Sequence, residues 1–330
     1  MSTLRWIEPF GRDTDEIYRS YDTGLCNRLF FWEIAQEINK LHGNKFKILL
    51  QQTHYPELLE LLDLPNTILI KEDVEVEQSI NLLNFKNLDL EGTDKIESKP
   101  INKDLLDEIL LSKKQIQSSE NWYSDFGFTR LDDIFSDSEQ FKRHIKDIKI
   151  KDKNLEKILK DFTSNMIGIH VRRGRGVHFK NNLHEINDGI KNEFIKFREK
   201  ESAESFYQFD FYDDTFYFKI IDSILEINEN QKFYISYDGP DNLIDYWFEK
   251  YPNNLHRKND YLKYIKNDIF SDSHFKNVID LFSLCFCSFL IKFPLSTWSN
   301  FADTYLDKKS VILNEPKEKI IEKYKKHFKK

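Results

Sequence analysis

Met166-Ile167-Gly168-Ile169-His170-Val171-Arg172-Arg173-Gly174-Arg175-Gly176 holds the change of character on which the fold reading turns. The run from Met166 to Val171 is short and apolar, and it breaks at once into arginines and glycines. Such a run, bounded by a turn, reads as a strand buried on both faces of a sheet. The same grammar recurs downstream. Phe233 to Tyr237 reads as a strand ending at Asp238-Gly239-Pro240, and Ser288 to Lys292 as another, followed by a helix start at Ser296-Thr297-Trp298-Ser299. Ser310 to Leu313 is a last strand, and Pro316 precedes a basic terminal helix. Helical patterns fill the gaps: Thr215 to Asn228, Asp241 or Asn242 to Lys250, Phe275 to Cys285, and Ser296 to about Tyr305. Strand, polar turn and helix in repetition predict an α/β unit with a parallel sheet and helices on both faces. Ligands of such sheets collect beyond the carboxyl ends of the strands. His170 and Arg172 fall at one such end, Asp238 at a second, and Ser296, Thr297 and Ser299 at a third.

Upstream, Gly24-Leu25-Cys26-Asn27-Arg28-Leu29 leads into a helical stripe of Leu29, Phe30, Ile34, Ile38 and Leu41, stopped at Gly43. Phe46 to Leu50 and Thr67 to Ile70 read as strands, with a short helix from Pro56 to Leu62 between them. Lys71 to Ile101 is polar and without a period. Leu105 to Ile116 and Phe141 to Leu159 read as helices, Gly176 to Phe211 as an insertion, and Tyr261 to Ile265 as a strand. The expected divisions are an N-terminal domain at 1–162, a second domain at 163–313, and a basic helix at 314–330.

Composition narrows the class. Of 330 residues, 40% are hydrophobic and 32% charged, which describes a globular chain and not a disordered one. A net charge of -7 removes the global electrostatic case for nucleic-acid binding. Cys26, Cys285 and Cys287 are too few for a disulfide framework and suit a reducing compartment. The apolar run Val278 to Phe293 contains Asp280 and Lys292 and is shorter than the ~20 residues of a membrane span. No secretory leader pattern opens the chain. The expectation is a cytoplasmic protein without a transmembrane segment; an endoplasmic reticulum or Golgi lumen would apply only to a trimmed piece of an anchored protein. His178 and His184 lack metal-ligand spacing, and no glycine-rich dinucleotide or phosphate-loop fingerprint occurs.

The chemistry at the three strand ends is that of an anion site. Arginine presents a permanently charged fork matched to phosphate oxygens. Consecutive side chains beyond a strand point different ways, so the Arg172-Arg173 pair gives one arginine to a ligand and keeps one for structure. A helix starting at Ser296-Thr297-Trp298-Ser299 offers free amides to an anion, with hydroxyls nearby. Asp280, inside an apolar helix pattern, is either a solvent-exposed carboxylate or a candidate acceptor for the donors of a guanine edge.

These segments resemble the motifs of the α1,2-, α1,6- and protein O-fucosyltransferase superfamily. Ile169-His170-Val171-Arg172-Arg173-Gly174 is similar to its His-x-Arg-Arg motif, and Gly24 to Phe30 to the Gly-x-Gly-Asn-Gln/Arg-Leu segment of its first domain. Ile279 to Cys285 and Ser296 to Ala302 resemble its third motif, while Tyr237-Asp238 falls where its Ser/Thr-Asp pair stands. The resemblance implies a GT-B fold, two Rossmann-like domains facing a central cleft, with 1–162 on the acceptor side and 163–313 binding the nucleotide sugar. It implies an inverting, metal-independent transferase that moves fucose from GDP-fucose, its donor substrate, to a hydroxyl of a glycan or glycoprotein acceptor. Arg172 would hold the diphosphate as the catalytic residue, and His170 and Asp280 would lie near guanine. Asp238 would support the nucleoside, and Ser296, Thr297 and Ser299 the diphosphate. Gly24 and Asn27 would shape a loop over the donor. No cofactor and no metal are implied. Asp13, Glu16, Asp210 and Asp213 are candidates for the acceptor side or the base. The chain departs from the pattern at Cys26, where glycine is common, and at Arg175, where many relatives carry aspartate. Two other readings stay open: a transferase of this fold using another nucleotide sugar, and an inactive relative acting as a glycan-binding or scaffold module.

Overall fold

The computed structural model describes residues 3–6, 25–26, 29, 32–33, 36, 47–51, 61–70, 79–81, 115–117, 144–173, 177–178, 209–210, 212, 214–238, 244–262, 273–294, 296–307 and 309–328. The chain divides into two compact units, Met1–Asp152 and Lys153–Lys330.

The first unit contains strands β1 (Thr3–Trp6), β2 (Lys47–Gln51), β3 (Leu62–Asp63), β4 (Thr67–Ile70), β5 (Ser79–Asn81), β6 (Gln115–Gln117) and β7 (Lys149–Ile150). Five of them form a parallel sheet in the order β4-β2-β1-β6-β5. Leu25, Cys26, Leu29, Trp32, Glu33 and Gln36 are helical and buried, the spacing of one helix face. That face is anchored by polar contacts as well as apolar ones. The Trp32 indole donates to Thr67 Oγ1 at 2.8 Å, and Glu33 Oε1 accepts the Ile145 amide at 3.1 Å. Phe30, Ile34, Ile38 and Leu41 of the expected stripe lie outside the described residues.

Several expected elements differ. Thr3–Trp6, not read as a strand, lies between β2 and β6 in this sheet. The helix expected over Phe141 to Leu159 is interrupted: β7 pairs antiparallel with β3, and the Lys151 amide reaches the Leu61 carbonyl at 2.8 Å. Ile148 and Ile150 are buried with Lys149 exposed between them, a strand period within what read as helix. Gln115 and Ile116, read as a helix end, belong to β6, and Leu62, read likewise, to β3. β5 lies in the segment that showed no period.

The second unit opens with α1 (Lys153–Thr163), β8 (Met166–Val171), β9 (Val177–His178), β10 (Phe209–Asp210) and α2 (Asp214–Leu225). It continues through β11 (Lys232–Tyr237), α3 (Asp245–Lys250), β12 (Leu255–His256), α4 (Lys258–Leu262) and α5 (Ser273–Phe286). It closes with β13 (Phe289–Lys292), α6 (Thr297–Tyr305), β14 (Ser310–Ile312) and α7 (Lys317–Phe328). Its sheet runs β12-β11-β8-β13-β14, with every pairing parallel. The first strand is central and the order reverses there, which places a topological switch point between β8 and β13.

Alternation along the strands divides the two faces. Ile167, Ile169, Val171, Phe233, Ile235, Ile291 and Val311 pack with Tyr217, Ile220, Trp247, Ile320 and Tyr324 of α2, α3 and α7. The α7 helix therefore contributes to the core of this unit, with Tyr324 donating to Gln231 Oε1 at 3.2 Å. The opposite face carries Gly168, His170, Tyr234 and Ser236 against α5 and α6. A Cβ at Gly168 would come 2.9 Å from Leu284 Cδ2 and 3.2 Å from Cys287 Sγ, so the glycine admits α5 to close range. Tyr261, expected to begin a strand, instead lies in α4. Asp260 Oδ2 accepts the Arg257 amide at 2.9 Å, the return bond of a capping box that starts a helical turn there. Cys26, Cys285 and Cys287 are buried and form no disulfide. Among the described residues no helix is long and apolar enough to cross a membrane.

Candidate functional site

The carboxyl ends of β8, β11 and β13 lie side by side, and the two arginines after β8 take opposite courses. Arg173 turns inward and is 2% exposed. Its guanidinium donates to the Tyr212 carbonyl at 2.6 Å and to Asp214 Oδ1 at 2.7 Å, and it lies over the Tyr217 ring. Burial opposes its charge, but Tyr217 and Asp214 outweigh that and raise its pKa further. Arg173 thus clamps the start of α2 to the end of β8. Arg172 remains partly open, its Nη1 3.1 Å from Asp238 Oδ2, with the two side chains 27% and 28% exposed. Asp238 is itself fixed, since its Oδ1 accepts the Arg173 amide at 2.5 Å. The pair thereby joins the ends of adjacent strands β8 and β11.

His170 points to the opposite face and is 1% exposed. Its Nδ1 lies 2.6 Å from Ser299 Oγ and 3.4 Å from Ser296 Oγ. Burial pushes its pKa down to about 3; Asp238 counters this and Arg172 adds to it. The ring is therefore neutral at ordinary pH. Ser299 Oγ also accepts the Phe293 amide at 3.1 Å, so this hydroxyl stitches α6 to β13 and β8 and faces inward. Ser296 stands at the cap position of α6 without a side-chain capping bond, and the Asn300 amide closes the first turn on its carbonyl at 2.9 Å. The amides ahead of Asn300 have no acceptor within the helix, as at any helix start. They lie at the end of β13, on the far side of the switch point from β11.

Asp280 of α5 is 5% exposed. Its Oδ1 accepts the Tyr234 hydroxyl at 2.5 Å and its Oδ2 accepts Ser236 Oγ at 2.6 Å. Burial raises its pKa; Lys258 and the two hydroxyls pull the other way. Asp280 lines a shallow, open surface hollow together with Tyr237, Phe248, Arg257, Lys258 and Asn259. Arg257 is held by Asp245 at 2.6 Å and covers the Phe248 ring. This hollow combines an aromatic wall, a carboxylate acceptor and cationic donors. Phe248, Arg257, Lys258 and Asn259 were not singled out from sequence. Their only local signal is the basic pair after Leu255-His256, and a two-residue strand is too short to show a period.

The structure thus brings His170, Arg172, Asp238, Asp280, Ser296 and Ser299 to adjoining strand ends of one sheet. Thr297 is the first residue of α6, its side chain outside the description. Asp210 lies in β10, again without a described side chain. Gly24, Asn27, Asp13, Glu16, Asp213 and Arg175 lie outside the described residues. Among the described residues no group of three or more His, Cys, Asp or Glu is placed to hold a metal.

No family model and no curated protein matches the chain in sequence. Solved structures align with it at low identity. One is the NodZ alpha-1,6-fucosyltransferase soaked with GDP-fucose, at 10% identity over 92% of both chains with TM-score 0.44. Another is a mutant FUT1 of Arabidopsis thaliana in complex with GDP, at 10% identity over 95% of this chain and 70% of that one, TM-score 0.44. A third is POFUT1 in complex with GDP, at 9% identity over 95% and 98%, TM-score 0.45. At these identities and scores the case for the site stands on its own residues.

Proposed function

We propose that the chain is a glycosyltransferase of GT-B type whose C-terminal unit binds a nucleotide-sugar donor, and that this donor is GDP-fucose. The observation that carries the reading is the half-open Arg172, fixed at the end of β8 beside Asp238 and across the switch point from the start of α6. A diphosphate at that position meets a guanidinium fork and helix-start amides together. A purine would lie against the hollow next to β11, facing its polar lining. Asp280 would accept from the donor edge of guanine, while Lys258 and Asn259 would donate to its acceptor edge. Ser299 and Ser296 support the α6 end from within, and His170 is the neutral strut they lean on.

In the proposed reaction an acceptor hydroxyl attacks C1 of the sugar as the bond to the diphosphate breaks, with inversion and without a metal. Negative charge grows on the leaving group, so Arg172 contributes more in the transition state than in the ground state. Asp13, Glu16, Asp210 and Asp213 remain the proposed sources of the base, and Gly24 and Asn27 the proposed donor loop. The acceptor is a glycan or glycoprotein hydroxyl, and the proposed compartment is the cytoplasm.

Calorimetric titration of GDP, UDP, CMP and GDP-fucose, with EDTA present, tests the reading on wild type and Arg172→Ala. The expected result is preference for the guanine nucleotides and a marked loss in the variant. Equal affinity for all nucleotides, or unchanged GDP affinity in Arg172→Ala, refutes it. Slow release of GDP from GDP-fucose separates an enzyme from a binding module.

A further inference from the structure

A chain of hydrogen bonds crosses the sheet face between the concavity and the start of α6. Trp298, second residue of that helix, donates its indole N–H to Ser236 Oγ at 3.2 Å. Ser236 passes its own proton to Asp280 Oδ2 at 2.6 Å. On the other carboxylate oxygen, Tyr234 donates at 2.5 Å and is backed by the Tyr261 hydroxyl at 3.1 Å. Tyr261 in turn meets Ser283 of α5. Ser236, Tyr234, Tyr261 and Ser283 are all 1% exposed or less.

Next to the carboxylate the direction is uniform: Trp298 donates to Ser236, and Ser236 and Tyr234 donate to Asp280, while Ser283 turns its own proton to the Ile279 carbonyl at 2.7 Å. Chains of this polarity strengthen one another in a low-dielectric interior, and each member holds its neighbour's geometry. Ser236 touches both ends, Asp280 on one side and Trp298 on the other. A hydroxyl has one proton, and Asp280 takes it, so the lone pairs of Ser236 are left to receive Trp298. The indole N–H is the sole polar group of Trp298, and it is spent on this contact.

We infer that Ser236 and Trp298 are positioning residues that couple the base-binding concavity to the phosphate-binding start of α6. The inference rests on the proposed reading of those two places. Asp280 sits in the wall of the first, and Trp298 lies in the first turn of the second. The bridge fixes the distance and angle between them, so a ligand that spans both meets two subsites already in register. A ligand that occupies one subsite alone gains nothing from the register. The coupling therefore belongs to the joined nucleotide and not to its parts.

Three probes read this out on the full chain: guanosine, inorganic pyrophosphate and GDP, titrated by calorimetry or by competition. Trp298→Phe and Ser236→Ala break the same bond from opposite ends, and each leaves the backbone amides of α6 in place. Both variants are expected to weaken GDP about five- to tenfold, the low end of coupling between sites. Guanosine and pyrophosphate should each change by less than about twofold, because linking two ligands pays only when their sites are aligned. A uniform loss across the three probes, or a loss tracking a fall in melting temperature, indicates a merely structural bond and overturns the inference. Unchanged GDP affinity in either variant overturns it too. Failure of the wild type to prefer GDP over UDP overturns the proposed function and the inference with it.

Discussion

Two adjacent arginines give the sharpest residue-scale contrast. Arg173→Ala would leave Asp214 beside a buried vacancy and is expected to cost about 3 kcal/mol of stability, seen as a lower denaturation midpoint. Arg172→Ala should leave the midpoint nearly unchanged and cost about 3 kcal/mol in transition-state stabilisation, more than a hundredfold in kcat/KM. The order of the two effects is the test, and reversal would exchange their roles. His170 makes a pH prediction. Its folded pKa of about 3 lies below the ordinary 6.5, so the unfolded chain takes up the proton first on acidification. Its contribution is complete above the unfolded value and is lost as pH falls toward the folded one, with a slope of at most about 1.4 kcal/mol per pH unit. Urea midpoints of wild type and His170→Asn at pH 7 and pH 5 check this. The wild type should lose more than the variant, and parallel losses would show that the ring titrates normally. The sequence made the strand-end location of these residues readable, because an apolar run stops at Val171. It could not show that the Ser299 hydroxyl faces inward, since its partner lies on a strand far away in the sequence.

At the scale of elements, the interface of α5 with β8 depends on the missing side chain of Gly168. Gly168→Ala would press a methyl into Leu284, Cys287 and Leu290, all fully or nearly fully buried. A loss of about 1–3 kcal/mol is expected from such overpacking, with GDP affinity kept. Chemical denaturation measures the first and titration the second; an unaltered midpoint would mean that α5 yields without cost. Elements were readable in proportion to their length and burial. β8, β11 and β13 are buried on both faces and show as mostly apolar runs. β12 and β7 have two residues each, too few for any period. β1 reads Thr-Leu-Arg-Trp, where a central arginine hides a strand that only its two neighbours define. Tyr261 misled because a β-favouring aromatic sits in a turn closed by the side chain of Asp260, and local capping outweighs propensity there.

For the whole molecule, the second unit has its own sheet, helices on both faces and a continuous core. A fragment comprising residues 153–330 is expected to unfold cooperatively on its own and to bind GDP within about tenfold of the full chain, given a self-contained core of ordinary domain size. Removing residues 314–330 as well should abolish that cooperative transition, because Ile320 and Tyr324 are buried among α2 and the sheet. Thermal melts followed by circular dichroism distinguish the two fragments, and a stable shorter one would demote α7 to an appendage. The position of β1 has a consequence of another kind, in time. Thr3–Trp6 is made well ahead of one of its two sheet neighbours, Gln115–Gln117, with most of the first unit's chain between them. Until that neighbour is made the nascent half-sheet carries an unpaired edge at its eventual middle. Distant strand pairing of this sort is slow and leaves intermediates open to aggregation. The first unit is accordingly where ribosome pausing and chaperone holding would most affect the yield of folded protein.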